Sequence, residues 1–138
     1  MPTGSCNCGA VKIEVPDSAY PKQSVLCHCK NCRASSGSVF SVNLVIETDQ
    51  IKFNDESNVS VYEDKGTDSG NTAVRKFCKN CGSAILTGVK EAPEKSYVKG
   101  GKFYRLFPVG TVPAPAMQIY KRNFEKWEKG QEGAQIVD

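Results

Sequence analysis

Seven cysteines among 138 residues arrive in three groups whose spacing is that of metal ligands. The groups are Cys6-Asn7-Cys8, Cys27-His28-Cys29-Lys30-Asn31-Cys32 and Cys78-Lys79-Asn80-Cys81. A two-residue interval lets both sulfurs of a pair turn toward one ion, and Gly82, behind the last pair, relieves crowding as in a zinc knuckle. An odd number of cysteines cannot all pair as disulfides within one chain. Redox use of a CxxC pair would call for a β-α-β setting that these residues lack, and cysteines filling a core would not need this spacing. Iron–sulfur ligation draws on the same residue type, but zinc is the simpler assignment.

Zinc takes four protein ligands in a closed structural site and three in a site that keeps one position for water or substrate. Seven divides as four plus three. Either outer pair can close against the central group. The preferred division joins Cys6 and Cys8 with Cys78 and Cys81, because each pair abuts a predicted strand and their union clips early and late strands together. Cys27, Cys29 and Cys32 are then a compact triad with an open position, the candidate catalytic centre. His28, the one histidine, offers a fourth ligand. In an extended segment its ring points away from both neighbouring sulfurs, which favours packing or a supporting role.

Short strands must position these groups. Val11, Ile13 and Val15 alternate with Lys12 and Glu14 as in a half-buried strand that ends at Pro16-Asp17-Ser18. Val25 and Leu26 lead into the central cysteines, and a short helical turn or loop follows at Ala34 to Gly37. Residues 38–46 are rich in β-forming types and are the best candidate for a central strand. Further strands are expected at Ile51 and Phe53, at Val59 to Tyr62 on alternation, at Thr72 to Phe77, at Ala84 to Thr87, at Tyr97-Val98 and at Met117 to Tyr120. Residues 66–71 read as an exposed turn. Pro108, Gly110, Pro113 and Pro115 exclude a regular helix between them, and Asn123 is expected to cap a short terminal helix through Phe124 and Trp127. The expected class is mainly β with short helical turns, organised as one domain over 1–138.

The formal charge of +3 says little about partners. Glu47, Asp49, Asp55, Glu56, Glu63, Asp64 and Asp68 make the middle acidic, whereas Lys90, Lys95, Lys99, Lys102 and Arg105 make the later part basic. This pattern can steer an anionic small molecule, although a solvated surface looks the same. No stretch approaches the roughly 18 apolar residues of a membrane span, and Met1 to Ser5 lacks the marks of a signal peptide. The expectations are a reducing, cytoplasmic setting and no membrane partner.

The residues Gly4-Ser5-Cys6-Asn7-Cys8-Gly9-Ala10-Val11, Cys27 to Arg33, Ala34-Ser35-Ser36-Gly37, Phe40 and Arg75 to Ser83 together resemble the glutathione-dependent formaldehyde-activating enzyme family, which includes centromere protein V-like members. The likeness spans residues 4 to about 87, with a weaker echo at Met117 to Trp127. It implies a zinc-containing, Mss4-like β fold with two zinc ions per chain. Residue by residue it places structural zinc on Cys6, Cys8, Cys78 and Cys81 and reactive zinc on Cys27, Cys29 and Cys32. It also implies a carbon–sulfur lyase reaction, the reversible joining of glutathione and formaldehyde to S-(hydroxymethyl)glutathione.

An open zinc site can lower the pKa of a bound thiol or polarise a carbonyl. Three thiolates blunt Lewis acidity, so thiol capture is favoured over a zinc hydroxide. Glutathione carries two carboxylates, for which Arg75 can make a paired contact; Lys30 and Arg33 flank the triad. Ser35, Ser36 and Gly37 leave space and offer donors, Asn71 belongs to a turn with amide donors, and Phe40 and Tyr62 are candidates for either pocket wall or core. Phe124 and Trp127 read as anchors of the terminal segment. The competing functions are a lyase acting on another electrophilic carbon and a zinc-stabilised module binding protein or nucleic acid. The absence of a dense basic stripe interleaved with aromatics argues against nucleic acid.

Overall fold

The computed structural model describes residues 2–100 and 110–138, so Lys102, Arg105 and Pro108 lie outside the described residues. Eleven strands are present among those described: β1 (Thr3–Ser5), β2 (Lys12–Glu14), β3 (Ser24–Cys27), β4 (Ser41–Glu47), β5 (Lys52–Phe53), β6 (Val59–Asp64), β7 (Ala73–Cys78), β8 (Ala84–Val89), β9 (Lys95–Lys99), β10 (Pro115–Ile119) and β11 (Gln135–Ile136). One α-helix, α1 (Lys30–Ser36), joins them with several 3-10 turns. The mainly β class with short helical elements is therefore borne out. None of the described helices is long and apolar enough to cross a membrane.

The strands form a small sheet in the order β1-β2-β5 and a larger one in the order β11-β10-β3-β4-β9-β8-β7-β6. Most neighbours are antiparallel; β10 runs parallel to both β3 and β11. Residues opposite each other in register share a side of the sheet, and the side alternates along each strand. Leu44, Leu86 and Val98 lie side by side in this way and belong to the buried cluster formed with Val11, Ile13 and Val15. The positions between them carry different chemistry. Cys27 opposite Ser41, Val25 opposite Asn43, Asn43 opposite Lys99, Tyr97 opposite Thr87 and Thr87 opposite Arg75 give the other side a largely polar surface. One sheet thus builds an apolar core on one face and the floor of a polar hollow on the other.

Three expected features are corrected. Asn123 ends a 3-10 turn (Lys121–Asn123) instead of capping a helix, and Phe124 is extended. The reason is tertiary: the Phe124 ring stacks on His28 with centroids 4.1 Å apart, and Glu128 folds back to accept the Glu125 amide at 2.7 Å. Phe124 is an anchor as expected, whereas Trp127 is 71% exposed and anchors nothing in the core. Tyr62 is also no core residue, at 59% exposure, because β6 is the sheet's edge strand and the middle of that strand is uncovered.

Candidate metal centre

Cys6, Cys8, Cys78 and Cys81 meet where the β1–β2 and β7–β8 turns face each other, with all four sulfurs within 4.8 Å of one another. The two turns follow one plan. Gly9 (φ 83°) and Gly82 (φ 76°) occupy the left-handed region that side chains avoid, which brings their amides back onto the carbonyls of Cys6 and Cys78 at 3.1 and 2.8 Å. Backbone amides also aim at sulfur: Val11 donates to Cys6 Sγ at 3.3 Å and Cys81 to Cys78 Sγ at 3.5 Å. The Asn7 amide donates to Ser83 Oγ at 3.1 Å and ties one turn to the other.

The donors fit a metal. Sulfur separations of 3.6 Å (Cys6–Cys8) and 3.7 Å (Cys8–Cys78) are far too long for disulfides and fit the about 3.8 Å edge of a tetrahedron with Zn–S bonds of about 2.3 Å. All seven cysteines are unpaired. Burial pushes the Cys78 thiol up to about 11, whereas at Cys81 burial, though the largest single effect, is outweighed by hydrogen bonds with Ser83, Cys8 and Cys78 together, which draw it down to about 5. Near neutral pH both sulfurs ionise together only beside a compensating cation.

The second cluster is built from three kinds of local structure. Cys27 ends β3, Cys29 is the N-cap of α1, where its sulfur accepts from the Cys32 amide at 3.2 Å, and Cys32 lies in the helix. These sulfurs too lie within 4.8 Å of one another, and all three residues are buried. Hydrogen bonding with Cys29 and Cys32 pushes the Cys27 thiol up, while contacts with Cys27 and Cys29 pull Cys32 down. Like the first cluster, the triad suits a bound cation.

His28 stays outside the triad. Gln118 Oε1 accepts the Gln131 amide at 2.5 Å, which leaves Gln118 Nε2 to donate to His28 Nε2 at 3.0 Å. The proton of the ring then sits on Nδ1, facing Glu128 Oε2 at 3.3 Å. The ring thus lies on the side of the strand away from Cys27, as alternation requires, with Nε2 hydrogen-bonded to Gln118 and Nδ1 beside Glu128 but with no hydrogen-bond partner among the described residues.

The glutathione-dependent formaldehyde-activating enzyme family matches residues 1–123. The chain belongs to this family. A Halomonas elongata protein provisionally named a glutathione-dependent formaldehyde-activating enzyme is 31% identical over 92 residues, covering 66% of this chain and 58% of that protein. The chain therefore spans little more than half of that relative's length. A crystal structure of a Rhodobacter sphaeroides protein superposes with a TM-score of 0.59 over 81% of this chain and 98% of the other, at 23% identity, and shows the fold.

The triad of this family member opens into a hollow of about 240 Å3 walled by Val25, Tyr97, Ile119 and Tyr120 and edged by Thr67, Asn71 and Arg75. Two adjoining hollows, of about 250 and 340 Å3, hold Ser36 with Phe40 and Tyr62 with Arg75. Of the expected substrate residues, Arg75 and Asn71 are thus brought to the triad, Ser36, Phe40 and Tyr62 to its neighbours, while Arg33 and Gly37 line none of the three. The Arg33 guanidinium is spent on the Asn123 carbonyl at 2.7 Å and on Glu125, and Gly37 caps the C-terminus of α1. Ser36 Oγ donates to the Phe40 carbonyl at 3.2 Å and accepts the Ser38 amide at 3.2 Å, shaping the chain after α1.

Arg75 is held firmly. Its Nε donates to Asp64 Oδ2 at 2.9 Å, its Nη1 reaches Ser35 Oγ at 3.3 Å and Thr87 Oγ1 at 3.5 Å, and Asn31 Nδ2 donates to both Asp64 oxygens at 2.9 Å. Burial raises the Asp64 carboxyl, but Asn31 and Arg75 outweigh it and hold the group below its ordinary value.

Sequence reasoning did not single out Lys99. It is 7% exposed, lines all three hollows, and donates to Asn43 Oδ1 at 2.7 Å. Burial pushes its ammonium down, against the charge of Cys32, Cys27 and Cys29. Within the basic run of the sequence Lys99 shares its parity with the exposed Lys95, and only its place opposite Asn43, near the middle of the sheet, sets it apart.

Proposed function

We propose that the chain is a zinc-dependent carbon–sulfur lyase that reversibly joins glutathione and formaldehyde to form S-(hydroxymethyl)glutathione. The observation that carries this reading is the inequality of the two sulfur clusters: four sulfurs close one, whereas three line a hollow that can admit a substrate. In this reading Cys6, Cys8, Cys78 and Cys81 hold a structural zinc, Cys27, Cys29 and Cys32 hold the reactive one, and the whole is a single Mss4-like domain over 1–138. Seven unpaired thiols suit a reducing compartment such as the cytoplasm.

Zinc in the triad would supply positive charge that keeps a substrate thiol ionised near neutral pH. The chain supplies the rest. At about 240 Å3 the hollow is smaller than the roughly 300–1,000 Å3 of common ligand pockets, so it takes the reacting end of the substrate and leaves the peptide arms at its rim. Val25, Ile119 and Tyr120 exclude water around the sulfur, and Asn71 and the free edge of Arg75 offer donors to the arms. With Arg33 turned to Asn123 and Glu125, its part is to hold α1 and hence Cys32 in place.

The deciding experiment is exchange spectroscopy on glutathione, formaldehyde and their adduct with zinc-loaded protein. Acceleration that is lost in Cys32→Ser, with the fold and the four-sulfur site intact, supports the reading. A fully metallated protein that leaves the exchange rate unchanged overturns it.

A further inference from the structure

Lys99 holds a buried position where few ammonium groups are found, and among the described residues no carboxylate lies within 4.0 Å of its Nζ. Among the described residues its one hydrogen bond is to Asn43 Oδ1 at 2.7 Å, and the Asn43 amide is in turn fixed by Ser41 Oγ at 3.0 Å. Asn43 and Lys99 are opposite each other in β4 and β9, so the ammonium rests on two central strands and not on a loop. A lysine that only balanced charge on the surface of the sheet would be wet; this one is nearly dry, yet it forms part of the lining of each of three adjoining hollows. Its charge acts on all three triad sulfurs. An ammonium with three donors and one neutral acceptor retains donors for a ligand, and burial without a paired anion is costly unless an anion arrives.

We propose that Lys99 is the oxygen-binding residue of the site: its ammonium receives the oxygen carried by the carbon that bonds to the substrate sulfur. The inference rests on the thiol–carbonyl reading above and adds the residue that meets the oxygen. An oxygen one carbon away from the sulfur belongs near the triad, whereas the carboxylates of a peptide thiol lie several bonds further out, toward Asn71 and Arg75. In the forward reaction the sulfur electron pair forms the S–C bond, the π pair of the carbonyl moves onto oxygen, and that oxygen takes up the proton the thiol has released. The reverse reaction returns the proton to sulfur as the S–C bond breaks. Neither direction needs an oxidant or a reductant. Lys99 lowers the barrier by stabilising the negative oxygen in a water-poor site, where a fixed charge acts strongly.

The test uses zinc-loaded full-length protein and two small sulfur ligands, thioacetate, which bears oxygen on the carbon bonded to sulfur, and ethanethiol, which does not. The preference of wild type for thioacetate over ethanethiol is expected to fall at least tenfold in Lys99→Met, with ethanethiol held within twofold. The 15N resonance of Lys99 Nζ should move with thioacetate and stay in place with ethanethiol; this wild-type measurement decides the matter should the variant fail to fold. A preference that is unchanged in Lys99→Met, a parallel loss for both ligands, or an unmoved resonance overturns the assignment, the parallel loss marking Lys99 as a mere counter-charge to the sulfurs. A glutathione arm separates the two readings. Lys99-dependent selection of thioacetate without glutathione binding would sink the glutathione reading and keep Lys99. Accelerated glutathione–formaldehyde exchange with no Lys99 dependence would do the reverse.

Discussion

The two cysteine clusters use the same donor atom for opposite ends. The four-sulfur cluster takes two residues from each of two distant turns, and its inner members, Cys6 and Cys78, are part of the apolar core with Val11, Ile13 and Leu44. The triad takes all its members from six consecutive residues, and among the described residues the partly buried hydrophobic groups packed on it are Ile119 and Tyr120. A cluster whose ligands are far apart in sequence closes a long loop and so contributes to folding. A local cluster closes almost no loop and leaves its free side to the hollow. In the function proposed above, sequence separation between ligands, more than their chemistry, divides the structural role from the reactive one.

The sharpest way to break this contrast is to remove one sulfur from each cluster. A structural zinc is worth about 10–16 kcal/mol in small domains, as much as the whole stability of about 5–15 kcal/mol expected for a chain of this size. Cys78→Ser, at a fully buried position, should therefore be largely unfolded by circular dichroism and lose both metals. Cys32→Ser should melt cooperatively and retain one zinc per chain by elemental analysis. Equal damage from the two substitutions would show that the triad is as structural as its counterpart.

The next largest effect concerns how the triad's helix is held against the sheet. Asp64 links Arg75 on β7 to Asn31 on α1, and its side chain and that of Arg75 are 10% and 11% exposed. Removing one partner of such a buried pair costs about 3–5 kcal/mol, so Asp64→Asn should lower the unfolding free energy by that amount, read from the lowered denaturant midpoint at unchanged slope, without removing metal from the four-sulfur site. The sign with pH follows from the depressed carboxyl. Its contribution is complete above the unfolded value of about 3.9 and is lost as pH falls through the lower, folded value. Between pH 5 and 2 wild type should therefore lose stability more steeply than Asp64→Asn, measured by urea unfolding across that range; parallel curves would show that Asp64 is not ionised in the fold.

Much of this contrast was already readable in the amino-acid sequence. The spacing of Cys6, Cys8, Cys78 and Cys81 beside alternating strands is local information, and the structure groups the sulfurs as that spacing indicates. The central strand follows from its β-forming residues, the turn at residues 66–71 from its small polar ones, and the turning of the buried His28 away from the triad from period-two alternation. Contacts between distant segments were not legible. Nothing in the tripeptide Asn123-Phe124-Glu125 reveals that a histidine ring will stack on Phe124 and hold it extended. Likewise, Arg33 beside the triad looks like a substrate residue until the terminal segment arrives to take its guanidinium. Lys99 needed the β4–β9 register, which is a property of the sheet and not of the strand.

That terminal segment offers a finer probe. Its contacts with His28 lie beyond residue 123, where the family match ends. Glu128 is 5% exposed and faces His28 Nδ1 at 3.3 Å, so Glu128→Leu removes the carboxylate beside a buried imidazole that has no hydrogen bond at Nδ1, at a cost of no more than about 1–3 kcal/mol. Since His28 lies between Cys27 and Cys29, the loss should appear mainly as faster exchange of metal from the triad to a chelator, with release from the four-sulfur site unchanged. Equal release from both sites would mean that the segment stabilises the fold in general and does not support the triad in particular.

The smallest effect belongs to Arg33. Its ion pair with Glu125 is partly open to water, with side chains 29% and 44% exposed, and such pairs are worth about 0–1 kcal/mol. Arg33→Ala should therefore lower stability by less than about 1 kcal/mol, the hydrogen bond to the Asn123 carbonyl being the larger share. Because the guanidinium turns away from the hollow, glutathione affinity measured by calorimetry should stay within twofold of wild type. A tenfold loss of affinity with unchanged stability would mean that Arg33 leaves Glu125 when substrate arrives. The rim of the triad would then be assembled on binding, in contrast to the four-sulfur cluster, whose ligands are fixed by two turns before any substrate is present.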